Sequence, residues 1–345
     1  MDSIGVGVIG LGMGAVHLEA CRESAHALIR AVCDPDPEKL ADVAARFEAP
    51  FAATDYRALI ERADVDLVIV ASPDFYHAEQ AVAALEAGKH VLCEKPLALT
   101  VEECESIIAA SDRAGGKFMV GQVCRFAPGF VKTKELVDAG AIGELFLVES
   151  EYAHNYAGVG GAGGWRKDPA RPRHPVIGGG CHAVDLVRWI AGNVAEVSAY
   201  SNHRCLTDWP VDDCTVAALR FESGVVGRLM VSIGCKRDYT MRSTFYGTEG
   251  TIISDNTSST LTLFTEHPER VPGLGGIQGY TQPVMIDVGP QTKPVAEEVE
   301  AFVDVVLRDA PVTMDAREGT RTVSTCVAIV ESARVGEPVP VRNEF

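Results

Sequence analysis

The sequence predicts an α/β protein of two domains: a doubly wound parallel sheet, then an α+β domain built on a large open, mostly antiparallel sheet. Three observations predict this. At 345 residues the chain exceeds one ordinary domain. Its first third alternates short apolar runs with longer helical patterns, the mark of repeated βαβ units. From about residue 123 the texture turns to β-rich segments joined by brief turn sequences. The division is therefore drawn at 1–122 and 123–345.

In the first domain, Ile4–Ile9, Leu28–Cys33, Asp66–Ala71, His90–Cys93 and Lys117–Val120 read as strands. Gly14–Ser24, Asp36–Phe47, Phe75–Ala87 and Val101–Ala114 read as the helices between them. A run such as Val68-Ile69-Val70 suits a parallel sheet covered on both faces. A helix follows over Pro128–Ala139, opened by proline and closed at Gly140. Strands are then predicted at Glu144–Tyr152, Glu196–His203, Cys214–Phe221, Val225–Ile233, Arg242–Tyr246, Thr251–Ser254 and Thr260–Phe264. Glu222-Ser223-Gly224 and Thr248-Glu249-Gly250 are short turns, which implies an antiparallel meander. Helices are expected at His182–Ala191, Ala296–Arg308 and Ala316–Arg334, and Gly158–Gly164 and Gly273–Gly279 read as mobile surface loops.

A formal net charge of −17 repels phosphate backbones, so nucleic acid is not an expected partner. The ten cysteines include no C-x-x-C pair and read as reduced core residues rather than a disulfide framework. The N-terminus runs at once into a strand pattern without the features of a signal peptide, and no apolar run approaches the roughly 20 residues that span a bilayer. A cytoplasmic protein with no membrane partner is expected.

Gly10-Leu11-Gly12-Met13-Gly14-Ala15 lies where the first strand turns into the first helix. Read as G-x-G-x-x-A, it turns tightly at Gly10, lets a pyrophosphate approach at Gly12, and brings Met13 and Gly14 to the positive helix end. Asp34 ends the second strand about 20 residues on, where a carboxylate can bond an adenosine ribose diol and repel a 2′-phosphate. The alternative for Asp34 is a helix cap; its strand position favours the ribose. These residues make the first domain a Rossmann dinucleotide-binding domain and NAD, in preference to NADP, the expected cofactor.

Glu94-Lys95-Pro96 ends the strand at His90–Cys93. Ligands of open α/β sheets bind outside the carboxyl ends of the strands, so Glu94 and Lys95 are expected in the cofactor crevice. A proline that tolerates a cis bond could aim Lys95 inward.

These blocks resemble the glucose–fructose oxidoreductase/inositol dehydrogenase family (Gfo/Idh/MocA). The resemblance is carried by Gly10-Leu11-Gly12, Ser72-Pro73-Asp74 with His77, and Ala87-Gly88-Lys89-His90-Val91-Leu92-Cys93-Glu94-Lys95-Pro96. It continues in Gly121-Gln122-Val123-Cys124-Arg125-Phe126, Trp165-Arg166 and Gly178-Gly179-Gly180-Cys181-His182-Ala183-Val184-Asp185. It covers nearly the whole chain, and the Glu-Lys-Pro block is its most specific part. The resemblance implies a Rossmann domain plus an open-faced sheet domain that commonly mediates oligomerisation, hence a homodimer or homotetramer. It puts Lys95 at the active site and makes Ser72, Pro73, His77, Trp165 and Arg166 cofactor-contacting and Arg125 and Tyr156 substrate-lining residues.

Beyond the glycines, Ala183, Leu186, Val187 and Ile190 form a core-facing helical stripe, and His182 and Asp185 share an adjoining face. At a helix N-terminus the dipole keeps His182 neutral and able to accept a proton, with Asp185 expected to orient it. Many relatives in the family carry an aspartate four residues before this histidine; this chain has Gly178. His182 is the preferred base, and Lys95 either stabilises the reacting oxygen or is itself the base.

The expected activity is hydride transfer between nicotinamide and a C–OH or C=O centre of a sugar, polyol or sugar derivative. Two alternatives use the same nucleotide site: an oxidation–elimination enzyme that cleaves glycosides, and a non-catalytic NAD sensor. The basic segment Trp165–His174 reads as a solvated loop, with gripping of a substrate anion as its alternative. Cys181 beside His182 lacks further ligands at zinc-like spacing, so no metal is expected.

Overall fold

The computed structural model describes residues 3–265, 283–289 and 294–345; the stretch 273–279 lies outside the described residues. The chain forms two compact units, residues 1–123 with 294–323 and 345, and residues 124–293 with 324–344.

The first unit is a six-stranded parallel sheet. Its elements run β1 (Ile4–Ile9), α1 (Gly14–Glu23), β2 (Ala27–Cys33), α2 (Pro37–Arg46), β3 (Ala52–Ala53), α3 (Tyr56–Ile60), β4 (Leu67–Val70), α4 (His77–Glu86), β5 (His90–Glu94), α5 (Val101–Arg113) and β6 (Phe118–Gly121). The strand order β3-β2-β1-β4-β5-β6 is the doubly wound arrangement. Every residue of β1 and β4 is buried, as their apolar runs require between two helical layers. The helix starts follow the capping rules: Asp36 accepts from the N–H groups of Glu38 and Lys39, and Thr100 forms a reciprocal capping box with Glu103. β3 and α3 were not foreseen, because a two-residue strand and a five-residue helix carry too little periodicity to read.

The second unit holds α6 (Pro128–Asp138), β7 (Leu145–Ala153), α7 (Pro175–Gly178), α8 (Cys181–Ala191), β8 (Val194–Asn202), β9 (Cys214–Phe221), β10 (Val226–Ser232), β11 (Thr240–Gly247), β12 (Gly250–Asp255), β13 (Thr260–Thr265) and β14 (Val284–Asp287). With β15 (Val339–Pro340) these strands make a nine-stranded sheet ordered β14-β13-β12-β11-β7-β10-β9-β8-β15. The sheet is not the simple meander expected. β7 lies between β11 and β10 and pairs with β10 in parallel, all other pairs being antiparallel. The long excursion through α7 and α8 supplies the crossover that a parallel pair needs. The α8 stripe Ala183, Leu186, Val187 and Ile190 is buried, and α8 packs on β7. β9 alternates buried and exposed residues, so this sheet has one covered and one open face.

The units interleave in sequence, whereas the sequence reading divided the chain into two consecutive pieces. α9 (Val295–Leu307) belongs to the first unit, burying Val295, Val299, Phe302 and Val303 and packing on α1. Val120 N donates to Met314 O (2.9 Å) at the sheet edge. α10 (Ala316–Val335) begins in the first unit and ends in the second, where Ser332 Oγ accepts from Ala199 N (3.0 Å).

All ten cysteines are free thiols, seven of them buried; Cys205 is exposed, and Cys214 and Cys235 are half-buried. Among the described residues no helix is long and apolar enough to cross a membrane.

Candidate active site

In the first unit, the turn between β1 and α1 depends on Gly10, whose φ is +86° and whose added Cβ would lie 2.5 Å from the Ser72 backbone. A Cβ on Gly12 would meet nothing within 4 Å, so the space over the loop is open to a phosphate group. Met13 is the residue before α1, and Gly14 N closes the turn on Gly10 O (3.2 Å). Leu11 N donates to Asp34 Oδ2 (2.8 Å), tying the loop to the end of β2. Asp34 also accepts from Asp36 N (3.0 Å) and from Lys39 Nζ (3.0 Å). The cap of α2 is Asp36, which removes the alternative reading of Asp34. An incoming ribose hydroxyl would share or replace the Lys39 contact, since a carboxylate has about four lone-pair directions. These residues fit a dinucleotide.

Ser72 and Pro73 end the turn after β4. Ser72 Oγ donates to Gln80 Oε1 (2.6 Å). His77 is buried, with Nδ1 facing Pro96 O (2.8 Å) and Nε2 facing Ser72 O (3.0 Å). Its ring therefore joins the Ser72-Pro73 turn to the Glu94-Lys95-Pro96 turn.

Glu94 departs from expectation. It was expected in the crevice, but its Oε1 is bonded to His17 Nε2 (2.9 Å) and its Oε2 accepts from Lys95 N (3.0 Å), so it is buried against α1. Burial would raise its pKa; the His17 hydrogen bond and charge, with Lys95 and His77, outweigh this and hold it at about 2. The sequence offered a histidine early in α1 as the sole prompt for this pair. Lys95, next in the chain, is half-buried and joined to Pro96 by a cis bond. Among the described residues its ammonium makes no hydrogen bond or ion pair.

In the second unit, the three glycines before α8 are set by close packing. A Cβ on Gly178 would lie 2.1 Å from Arg173 Nη1, and one on Gly179 would lie 2.4 Å from Tyr152 Oη. The Arg173 guanidinium thus fills the space that an aspartate at 178 would take. His182 follows in the first turn of α8, buried, with Nδ1 3.4 Å from Cys124 Sγ. Asp185 has a partner the sequence did not suggest. Its carboxylate receives Arg125 Nε and Nη2, each at 2.7 Å, in a buried bidentate pair. Arg125, expected to line the substrate site, and Asp185, expected to orient His182, therefore hold each other.

Tyr156 is also buried, its hydroxyl 2.8 Å from that of Tyr152, which lies 3.3 Å from His154 Nδ1. Burial, then the neighbouring Tyr156, pushes the Tyr152 hydroxyl pKa well up. His154 and Tyr239 continue into a groove of about 300 Å³ lined also by Asn155, Lys236, Arg237 and Asp238. Trp165 and Arg166 lie in a short 3-10 segment with the Arg166 and Arg173 guanidiniums over the Trp165 ring, 5.1 and 5.3 Å from its centre. The Trp165–His174 segment is not the fully solvated loop expected: Arg173 is buried, and burial lowers the His174 pKa to about 4. Tyr152 and Tyr239 were not singled out in the sequence, and Cys124 and Arg173 only as members of a longer block, because nothing in their local spacing distinguishes them from packing residues.

A doubly wound sheet with an open glycine turn and a carboxylate at the end of β2 defines an NAD-binding protein. Residues 4–122 match the oxidoreductase family with an NAD-binding Rossmann fold, and residues 130–253 match the GFO/IDH/MocA C-terminal domain. The chain belongs to this oxidoreductase family. It is 32% identical over 346 residues to inositol 2-dehydrogenase 2 of Saccharopolyspora erythraea, covering 98% of this chain and 96% of that one. It is 30% identical to myo-inositol 2-dehydrogenase of Thermotoga maritima, covering 76% and 78%. Among solved structures it is similar to a levoglucosan dehydrogenase in complex with NADH and L-sorbose, with a TM-score of 0.89, 25% identity and full coverage of both chains.

Proposed function

We propose that this NAD-binding oxidoreductase oxidises a secondary hydroxyl of a polyol or sugar, with Lys95 and His182 handling the hydroxyl's oxygen and proton. The observation that carries the reading is half-buried Lys95, just past the carboxyl end of β5, whose ammonium has no hydrogen-bond or ion-pair partner among the described residues. A charge held there is available to a ligand oxygen. The sugar and polyol dehydrogenases to which the chain is similar support the substrate class.

The cofactor supplies the hydride acceptor. Asp34 would bind its adenosine ribose, the Gly10–Gly14 turn its pyrophosphate, and Ser72, Pro73, Trp165 and Arg166 would complete its contacts. His77 keeps the two turns of the first unit in register. Glu94, hydrogen-bonded to His17, fixes the backbone at Lys95. Lys95 hydrogen-bonds the substrate oxygen and stabilises negative charge developing on it. His182 accepts the hydroxyl proton, its Nδ1 side occupied by Cys124 and its helix anchored by the Asp185–Arg125 pair. Tyr156 and Arg125 support the substrate pocket from behind rather than through free polar groups, since each already has a buried partner. We further propose that the protein is cytoplasmic and pairs with copies of itself across the open sheet face, where Tyr200 is 76% and Met285 55% exposed.

The test is a panel of neutral polyols and sugars, with their acid counterparts, incubated with NAD. NADH accumulation with at least one neutral member is expected. Aglycone release from glycosides without net NADH would instead favour oxidation–elimination, and faster turnover of the acids would give Arg173 an anion-binding task.

A further inference from the structure

Glu298, on α9, is fully buried, and neither of its carboxyl oxygens has a hydrogen-bond partner among the described residues. It lies at the carboxyl edge of the parallel sheet. Gly121, the last residue of β6, is paired in register with Glu94. A Cβ on Gly121 would lie 3.4 Å from Glu94 Cα and 3.7 Å from Glu298 Oε1. α9 reaches this edge by packing on α1, where Ser24 donates to Glu300.

The titratable groups around Glu298 are Glu94 and Lys95 from the end of β5, His17 of α1 bonded to Glu94, and His77 of α4 acting on Glu94; Glu297 of its own helix is exposed. A buried carboxyl without donors is disfavoured as an anion. Burial first and the Glu94 charge second push its pKa well up, Lys95 opposing only in part. Burial without donors thus favours its neutral acid over the carboxylate in the ligand-free protein.

The site on the sheet has two halves. Asp34, at the end of β2, serves the adenosine half. Glu298 stands at the ends of β5 and β6, across the sheet order from it, in the half left for nicotinamide. An oxidised nicotinamide ring carries a positive charge and a reduced one does not. We propose that Glu298 is the proton-exchanging group of the nicotinamide half-site: binding of the oxidised cofactor ionises it, and the reduced cofactor leaves it protonated. The carboxyl O–H bond breaks, the proton passes to solvent, and no electrons move. By linkage, affinity for NAD⁺ must then rise with pH while affinity for NADH does not. The inference rests on the nucleotide site alone and needs no substrate.

Calorimetric titration of the full chain with NAD⁺ and with NADH, in two buffers of different ionisation enthalpy near neutral pH, tests this. The wild type should release a fraction of a proton on binding NAD⁺ and none on binding NADH. Glu298→Gln, which keeps the shape of the neutral acid and leaves His17, His77 and Lys95 in place, should abolish the difference. Equal release with both cofactors, or a difference that persists in Glu298→Gln, would overturn the proposal. Should the variant not fold, the wild type alone decides: the NAD⁺ dissociation constant should tighten by up to about tenfold per pH unit while that of NADH stays level, and parallel curves would overturn it. Any of these failures leaves the polyol reading standing, whereas binding of neither nucleotide would overturn both.

Discussion

Asp34→Ser should raise the ratio of NADP to NAD turnover by about tenfold or more, on the scale of one lost charge repulsion. The substitution removes the carboxylate and leaves Lys39, now paired with it at 3.0 Å, to face a 2′-phosphate. Initial rates with each cofactor measure it; an unchanged ratio would mean that Asp34 does not read the ribose. At this scale the backbone geometry of the first turn was legible. Gly10, Gly12 and Asp34 follow from a strand–turn–helix pattern, and the structure gives Gly10 the positive φ such a turn needs. Glu94 has a partner that its own motif does not announce. Adjacent residues along a strand point to opposite sides, and His17 on α1 provides the partner that takes Glu94 inward.

At the scale of elements, α8 is anchored by the Arg125–Asp185 pair, which spans 60 residues of sequence. Asp185→Ala removes the carboxylate that holds the buried Arg125 guanidinium and should destabilise the protein by about 3–5 kcal/mol. Replacing both residues by apolar ones of similar size should cost much less. Denaturant midpoints of the single and double variants check this, and equal losses would show that the pair is not the cause. The helices and strands themselves were legible almost to the residue wherever periodicity ran for a full element, as in Cys214–Phe221. Pairing between elements was not. Turn sequences announced the β9–β10 and β11–β12 hairpins, but the insertion of β7 beside β10 depends on a crossover through α7 and α8 that no local pattern encodes. The return of α9 to the first unit has the same origin, since its apolar stripe states that it packs and not on what.

For the whole molecule, half-buried His174 and buried Glu94 contribute to the response to acid. The folded pKa of His174 is lowered to about 4 from 6.5, so its contribution is present above 6.5 and lost as pH falls toward 4. That of Glu94 is lowered to about 2 from 4.5, so its contribution is lost only between those values. Stability against urea should fall in these two windows, with Glu94→Gln flattening the lower and His174→Asn the upper; profiles unchanged by either variant would contradict the assignments. The proposed chemistry gives the reacting oxygen to Lys95 and its proton to His182. Its most direct measurement is kcat for NADH formation, on a substrate found in the panel, by wild type, Lys95→Ala, His182→Ala and the double variant, with NAD⁺ binding measured alongside. Each single change should lower kcat by about 10²–10⁴ with nucleotide binding retained, and the double variant should be little worse than the poorer single, as for groups acting as a unit. Variants that bind NAD⁺ and turn over at the wild-type rate would contradict the claim.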